Sequence, residues 1–266
     1  MINSIALAWD KLLFCRRITA DANSFLKLLL ASKRFSGSRN HIVPADKADN
    51  YQMKISGKNI AFTLRRFAGD LDMFYEIFWK RVYSSSHLKN KPVYTVLDLG
   101  ANIGMATAYF YSCFPGATYY CVEPDPGNME IMKKNLAGLV PPGKIHFLQA
   151  AIGKADSKGD LITARYAYNS RVVPGRENGT IDVRSMSSVF SHFHLYQADL
   201  VKMDIEGAES DAFSETRWLE QVKHIFIECH TEELRKRISY KLEEKGFRWK
   251  TIPGNDMLVF AERIIS

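Results

Sequence analysis

Asp98, Glu123, Asp204 and Glu228 each stand at or close to the end of a short apolar run, and His230 follows the last of them by two residues. Such groups can take up a proton, accept hydrogen bonds from hydroxyls or face a cationic ligand. Two residues apart on a strand, Glu228 and His230 leave it on the same side, so the carboxylate can orient the imidazole. With an ordinary pKa of about 6.5, that imidazole is a candidate general base at neutral pH. The competing reading is a histidine that caps the following helix. Asp204 and Glu206 precede Gly207, which permits a tight turn into a helix, and they complete the candidate catalytic set of Asp204, Glu206, Glu228 and His230. For Glu209 and Asp211 the favoured role is to complement the positive end of that helix.

The acid at position 98 opens a glycine-bearing loop, Asp98-Leu-Gly-Ala-Asn-Ile-Gly104, between a β-branched apolar run and a helical pattern. Gly100 can take a backbone conformation closed to other residues, and Gly104 allows close packing of helix on strand. The middle position is Asn102, where a dinucleotide site has glycine so that the pyrophosphate can approach. A carboxylate at Asp98 would repel pyrophosphate but suits a ligand carrying an ammonium and a sulfonium, the charges of S-adenosylmethionine. About twenty residues on, Glu123 ends the next strand, where an acid accepts hydrogen bonds from ribose hydroxyls. The expected cofactor set is Asp98, Gly100, Ala101, Asn102, Ile103 and Gly104, then Glu123, Pro124 and Asp125, then Gln149, Ala150 and Ala151 at the third strand end, flanking the adenine. A non-binding turn is the bland reading of the loop, and an NAD-dependent oxidoreductase is disfavoured by Asp98 and Asn102.

Positioning these residues requires alternating strands and helices. Strands are expected near Tyr94, Thr118, Ile145, Leu200 and His224, with helices near Ile103, Asn128, Glu209 and Glu232, the pattern of a doubly wound α/β sheet. Phe247 to Ile252 and Met257 to Ala261 are separated only by Pro253-Gly-Asn-Asp256, too short for a crossover, so they pair antiparallel and leave one reversed edge strand. Between Ala151 and Asp204 lies an insertion over about 157–185, with strands at Asp160 to Tyr166 and Thr180 to Arg184. They are joined by a polar loop carrying Tyr168, Asn169, Ser170, Arg171 and Arg176. The insertion is expected to cover the acceptor site, its arginines being able to hold an anionic acceptor. Upstream, Tyr51 to Leu64 alternates around Gly57-Lys-Asn59 as a hairpin. A helix over Asp70 to Tyr83, capped by Asp70 or Asp72, follows.

At 46% hydrophobic and 24% charged, the 266 residues suit a globular protein with one sizeable core, divided into an extension over 1–50, a hairpin and helix over 51–91, and a main domain over 92–266. The extension reads as a basic amphipathic helix from Ile2 to Phe35, with Ile2, Ile5, Trp9, Leu12 and Leu13 on one face, then a linker over Ser36 to Asn50. Charged residues interrupt its apolar runs well before a membrane span is reached. It either packs on the body or on a second subunit, or rests on an anionic membrane. A net charge of +7 favours anionic partners. Cys15, Cys113, Cys121 and Cys229 form no CxxC pair, consistent with a reducing, cytoplasmic setting and no structural metal. His192 and His194 would point apart on a helix, and no metal is expected.

Four motifs together resemble the FkbM-type methyltransferases: Val96-Leu-Asp-Leu-Gly-Ala-Asn-Ile-Gly104, Val122-Glu-Pro-Asp-Pro126, Lys202-Met-Asp-Ile-Glu-Gly-Ala-Glu209 and Ile227-Glu-Cys-His230. The similarity runs from about Met53 to the C-terminal hairpin and includes the helix before the main domain. Arg184-Ser-Met-Ser-Ser188 departs from the family's Leu-Asp-Asp. The resemblance implies a class I methyltransferase fold, a Rossmann-like, mostly parallel seven-stranded sheet with an antiparallel C-terminal hairpin. It also implies methyl transfer from S-adenosylmethionine, commonly to a hydroxyl of a sugar, glycolipid, polysaccharide or other natural product. On that footing the partner is a small-molecule or glycan acceptor, without nucleic acid, and the oligomeric state is left open. The alternative from another class is a non-catalytic scaffold in a glycan-modifying assembly.

Overall fold

The computed structural model describes residues 4–35, 47–162, 171–175 and 178–264. The extension is two helices, α1 (Ser4–Ile18) and α2 (Ala22–Phe35). Asp21 starts the second by accepting hydrogen bonds from Ser24 N at 2.7 Å and Ser24 Oγ at 2.9 Å. Phe14, Cys15, Leu28 and Ala31 are buried against the body, with Phe14 packed on the rings of Phe74 and Tyr75. The stripe of Ile5, Trp9 and Leu13 is turned outward, so of the readings left open for it, packing of that stripe on the body is not the one observed. Phe14, Cys15, Leu28 and Ala31, with Ile18, Phe25 and Leu29 packed beside them, anchor the pair.

β1 (Ala48–Ile55) and β2 (Lys58–Arg65) form the hairpin. Its turn is Ser56-Gly57, both at positive φ, the two-residue turn that matches strand twist. β1 therefore begins inside the segment read as linker, and residues 36–46 of that segment lie outside the described residues. The expected helix is shorter and irregular: α3 (Asp70–Phe74) passes into a π-helical turn, Tyr75–Trp79. Gly69 occupies the N-cap, and Asp70 does not cap, because its carboxylate is bound to Arg65 of β2.

From Thr95 the alternation proceeds as β3 (Thr95–Leu99), α4 (Met105–Cys113), β4 (Thr118–Val122), α5 (Pro126–Ala137), β5 (Ile145–Leu148), β6 (Ala151–Ile152), β7 (Ser157–Ile162), β8 (Arg171–Pro174), β9 (Ile181–Arg184), α6 (Met186–His192), β10 (Ala198–Met203), α7 (Glu209–Ala212), β11 (Val222–Glu228), α8 (Glu232–Glu244), β12 (Phe247–Ile252) and β13 (Asn255–Arg263). Seven strands form the main sheet in the order β12-β13-β11-β10-β3-β4-β5. β3, β4, β5, β10 and β11 pair in parallel; the runs of β3, β10 and β11 are buried almost throughout, whereas the edge strand β5 is only partly covered. One detail differs from the sequence expectation: the reversed strand β13 is not the edge but is inserted between β11 and β12, antiparallel to both. The composition explains the order. Leu258, Val259, Phe260 and Ala261 of β13 are buried, whereas β12 alternates apolar residues with Arg248 and Lys250, charges suited to an edge.

The insertion makes a second sheet, β6-β9-β7-β8. β8 falls in the segment read as a polar loop, and Tyr166, Tyr168, Asn169, Ser170 and Arg176 lie outside the described residues. Where the family's Leu-Asp-Asp is missing, Ser185 caps α6 through Ser188 N at 3.2 Å, and Asp156 accepts from Ser185 N at 2.9 Å. All four cysteines are free thiols. No described helix is long and apolar enough to cross a membrane.

Candidate active site

A cavity of about 440 Å³ opens at the carboxyl ends of β3, β4 and β10, where open α/β sheets bind ligands. Gly100, Ala101, Asn102 and Ile103 form one wall, and Glu123, Pro124, Ala150 and Ala151 another. Leu161, Val172 and Val183 of the second sheet contribute apolar surface, so the insertion lies against this site. Four of the expected cofactor residues are not on the cavity wall. Gln149 is exposed. Asp125 caps α5 through Asn128 N at 2.9 Å. Gly104 lies against α5 rather than a strand, since a Cβ there would come within 3.0 Å of Met132 and Leu136. Asp98 is buried beneath the loop, accepting from Thr107 Oγ1 at 2.7 Å.

Gly100 is required by contact as well as conformation. Its φ is +72°, and a Cβ would fall 1.8 Å from the backbone oxygen of Asp204, so the cofactor loop and the loop after β10 touch through their main chains. Beneath them lies Lys202, buried, donating to Gly100 O at 2.8 Å and standing 3.4 Å from Asp98 Oδ1 and 3.7 Å from Asp204 Oδ2. Burial opposes its charge, but Asp98 and Asp204 outweigh burial and raise its pKa. A charged lysine thus offsets part of the charge of two carboxylates, the buried Asp98 and the cavity-lining Asp204. Its signal in the sequence was only a lysine inside an otherwise apolar strand.

Glu123 is on the wall but already engaged. Oε2 accepts from Asn102 N at 2.8 Å, and Oε1 accepts from Asp125 N and Asn128 Nδ2, each at 3.0 Å. A carboxylate has about four acceptor sites, so about one remains for a ribose hydroxyl. Burial raises its pKa, and these three donors act against that. Arg65 completes the network, donating to Asn128 Oδ1 at 2.7 Å and to Asn102 Oδ1 at 3.4 Å while Asp70 holds its other edge. The hairpin before the main domain therefore braces the cofactor loop, which no local pattern around Arg65 reveals.

Asp204 and Glu206 line the cavity; Glu228 and His230 do not. Glu206 sits at φ +52°, an unusual backbone for a non-glycine residue, and this turn brings its side chain to His230. The imidazole Nε2 is 3.0 Å from Glu206 Oε2, and Nδ1 is 3.5 Å from Glu209 Oε1. Glu206 and Glu209, rather than Glu228, orient the ring. The Glu206 hydrogen bond, against the cost of burial, raises the histidine pKa to about 9. A ring held in this way favours the imidazolium at neutral pH, which weighs against its serving as a neutral base. Nor does His230 cap α8, where Thr231 accepts from Leu234 N at 3.1 Å. Glu228 is pushed up to about 7 by burial and by the nearby Asp204 charge.

Glu209 is buried and accepts from the backbone N of Ile205 and Gly207, fixing the turn instead of only complementing a helix dipole, while Asp211 reaches the cavity wall. Tyr83 also lines the cavity, its phenol kept neutral by burial and by Asp204 and Glu228. One ligand atom each from Asp204, Glu206 and His230 lie within 4.8 Å of one another, so a cation could be held there if the imidazole gave up its proton.

The loop, the ribose-wall acid and the mostly apolar flank fit a nucleoside carrying a cationic tail: the cavity is large enough, and Glu123 on its wall keeps about one acceptor site for a ribose hydroxyl. Residues 98–249 match the family model described as Methyltransferase FkbM domain. The chain is 26% identical over 214 residues to Methyltransferase sdnD of Sordaria araneosa, covering 66% of this chain and 81% of that protein. It is 27% identical over 167 residues to 2-O-methyltransferase NoeI of Sinorhizobium fredii, covering 55% of this chain and 68% of that protein. The crystal structure of methyltransferase FkbM from Methylobacillus flagellatus KT aligns with a TM-score of 0.48 at 16% identity, over 94% of this chain and 57% of that one.

Proposed function

Because the chain belongs to the FkbM methyltransferase family and is thus an S-adenosylmethionine-dependent methyltransferase, we propose that it methylates a hydroxyl, on a sugar, glycolipid or other natural product, with Asp204 as the general base. The observation that carries this reading is the placement of Asp204: its carboxylate lines the cavity while its carbonyl abuts Gly100 of the cofactor loop. Similarity to a protein named as a 2-O-methyltransferase supports an oxygen acceptor.

S-adenosylmethionine supplies an electrophilic methyl on a sulfonium. The loop from Gly100 to Ile103, tied down by Glu123, binds and orients it, and the apolar walls exclude water. Asp204 removes the acceptor proton as the hydroxyl attacks, a step that needs a base on the cavity wall within reach of the oxygen. Lys202 offsets one of the two carboxylate charges beside it, leaving a net negative floor that suits a cationic cofactor. The Glu206–His230 ion pair acts through the backbone, holding the turn that aims Asp204.

The test is incubation with S-adenosylmethionine carrying a deuterated methyl and a panel of glycans, glycolipids and hydroxylated natural products, read by mass spectrometry. Label on an ether oxygen is the expected result. Label only on nitrogen or carbon would overturn the hydroxyl assignment while leaving the methyltransferase intact.

A further inference from the structure

The outer faces of α1 and α2 carry an apolar surface that the fold does not use. Ile5, Leu7, Trp9, Leu13, Leu26 and Leu30 are each half exposed or more, from 50% to 64%. Elsewhere among the described residues the large exposed apolar side chains are scattered singly: Tyr94, Ile162, Tyr196, Tyr240 and Ile264. Ile5, Trp9 and Leu13 repeat at four-residue spacing, as do Leu26 and Leu30, so each helix has a second stripe opposite the one it buries.

The charges on the same helices select the occupant. Arg16, Arg17 and Lys27 are exposed, and no ion pair to them is seen among the described residues. The acids of these helices already have partners: Asp10, itself exposed, accepts from Trp79 Nε1 at 2.7 Å, and Asp21 caps α2. Lys33, Arg34 and Arg39 continue the basic run in the sequence. A second copy docking by two-fold symmetry would set this cationic face against itself. An anionic bilayer satisfies both features at once, taking the apolar side chains into its interface and the arginines and lysine to its phosphates.

We propose that the α1–α2 pair is a docking face for anionic lipid membranes, with Trp9 and the flanking leucines at the headgroup boundary. The inner face of the pair packs on α3 and the π-helical turn, whose Met73 and Ile77 line the cavity, so docked surface and active site form one packed unit.

The full-length chain should co-sediment with phosphatidylcholine vesicles containing phosphatidylglycerol, roughly a hundredfold more tightly than with phosphatidylcholine alone, given three exposed basic residues at the surface. Binding should weaken as salt is raised. Lipids brominated along the chain should quench the tryptophan fluorescence, and the quenching should vanish in Trp9→Phe. The double variant Leu13→Glu/Leu30→Glu should lose vesicle binding yet bind S-adenosylmethionine as the wild type does, since both positions are exposed. Equal partitioning to neutral and anionic vesicles, or none to either, would overturn the proposal. So would a dimer in analytical ultracentrifugation without lipid that the double variant dissociates, since a second copy would then cover the face.

Discussion

The imidazole of His230 meets the carboxylate of Glu206 at 3.0 Å, across the gap between the end of β11 and the turn after β10. A ring held this way keeps its proton well past neutrality. In a histidine NMR titration, His230 should show a midpoint near 9, falling toward the ordinary value in Glu206→Gln. A wild-type midpoint near 6.5 would mean that the pair does not form.

The same shift has a signature in stability. A histidine whose pKa is raised on folding contributes fully below its unfolded value, about 6.5, and that contribution is lost as pH rises through about 9. Glu228, raised to about 7, binds a proton in the folded state that the unfolded chain has released, so it too lowers stability as pH climbs from about 4.5 toward 7. Chemical denaturation should find the protein more stable near pH 6 than near pH 9. His230→Gln should flatten the upper part of that slope, and an unchanged slope would remove the histidine from the explanation.

Asp204→Asn should lower kcat by roughly a hundredfold or more and leave the affinity for S-adenosylmethionine near wild type, since proton removal is needed only in the transition state. His230→Gln should cost less than about tenfold, because the imidazolium positions the turn and touches no reacting atom. Single-turnover rates on an identified acceptor distinguish the two. The reverse order of effects would make His230 the base.

For the cofactor, Glu123→Gln and Arg65→Leu should each weaken binding in calorimetry by about ten- to a hundredfold, the range for losing a hydrogen bond to a charged group. Arg65 lies on the cavity's supporting network rather than its wall, so its effect would report loop order and should be accompanied by faster amide exchange at Asn102. Unchanged exchange and affinity in Arg65→Leu would show the loop to be self-supporting.

Gly100→Ala combines a left-handed backbone with a clash against the Asp204 carbonyl. The expected loss is about 2 to 4 kcal/mol of stability, read as a lowered denaturation midpoint, with turnover falling further because the base is displaced. A fully active, stable variant would rule out the contact.

The parallel strands were readable because strands buried on both faces must be apolar runs, and the loop from Asp98 to Gly104 because glycine and acid leave marks at fixed spacing. The site's inner wiring was not. Glu206 reaches His230 only through a left-handed turn, which sequence periodicity does not encode. Arg65 acts on Asn128 from 63 positions away, and as one of two adjacent arginines at the end of an alternating strand it resembles many solvated ones. On α1 the stripe with the stronger apolar pattern is the one left outside, since amphipathicity marks a face without naming what covers it. β8 was hidden because its residues read as part of a polar loop.

The insertion of β13 between β11 and β12 governs the order in which the molecule can be built. During synthesis β11 has β10 on one flank and a bare backbone edge on the other, and β12 has no partner until the strand after it is made. β12 cannot simply dock on β11 and be joined later; Asn255–Arg263 must enter the space between them. Refolding should therefore end with a joint step in which amides of β12 and β13 gain exchange protection together, after β3, β4 and β10. Until that step the chain is open to edge-to-edge association, so the window for aggregation is set by a single late strand rather than by the stability of the finished core.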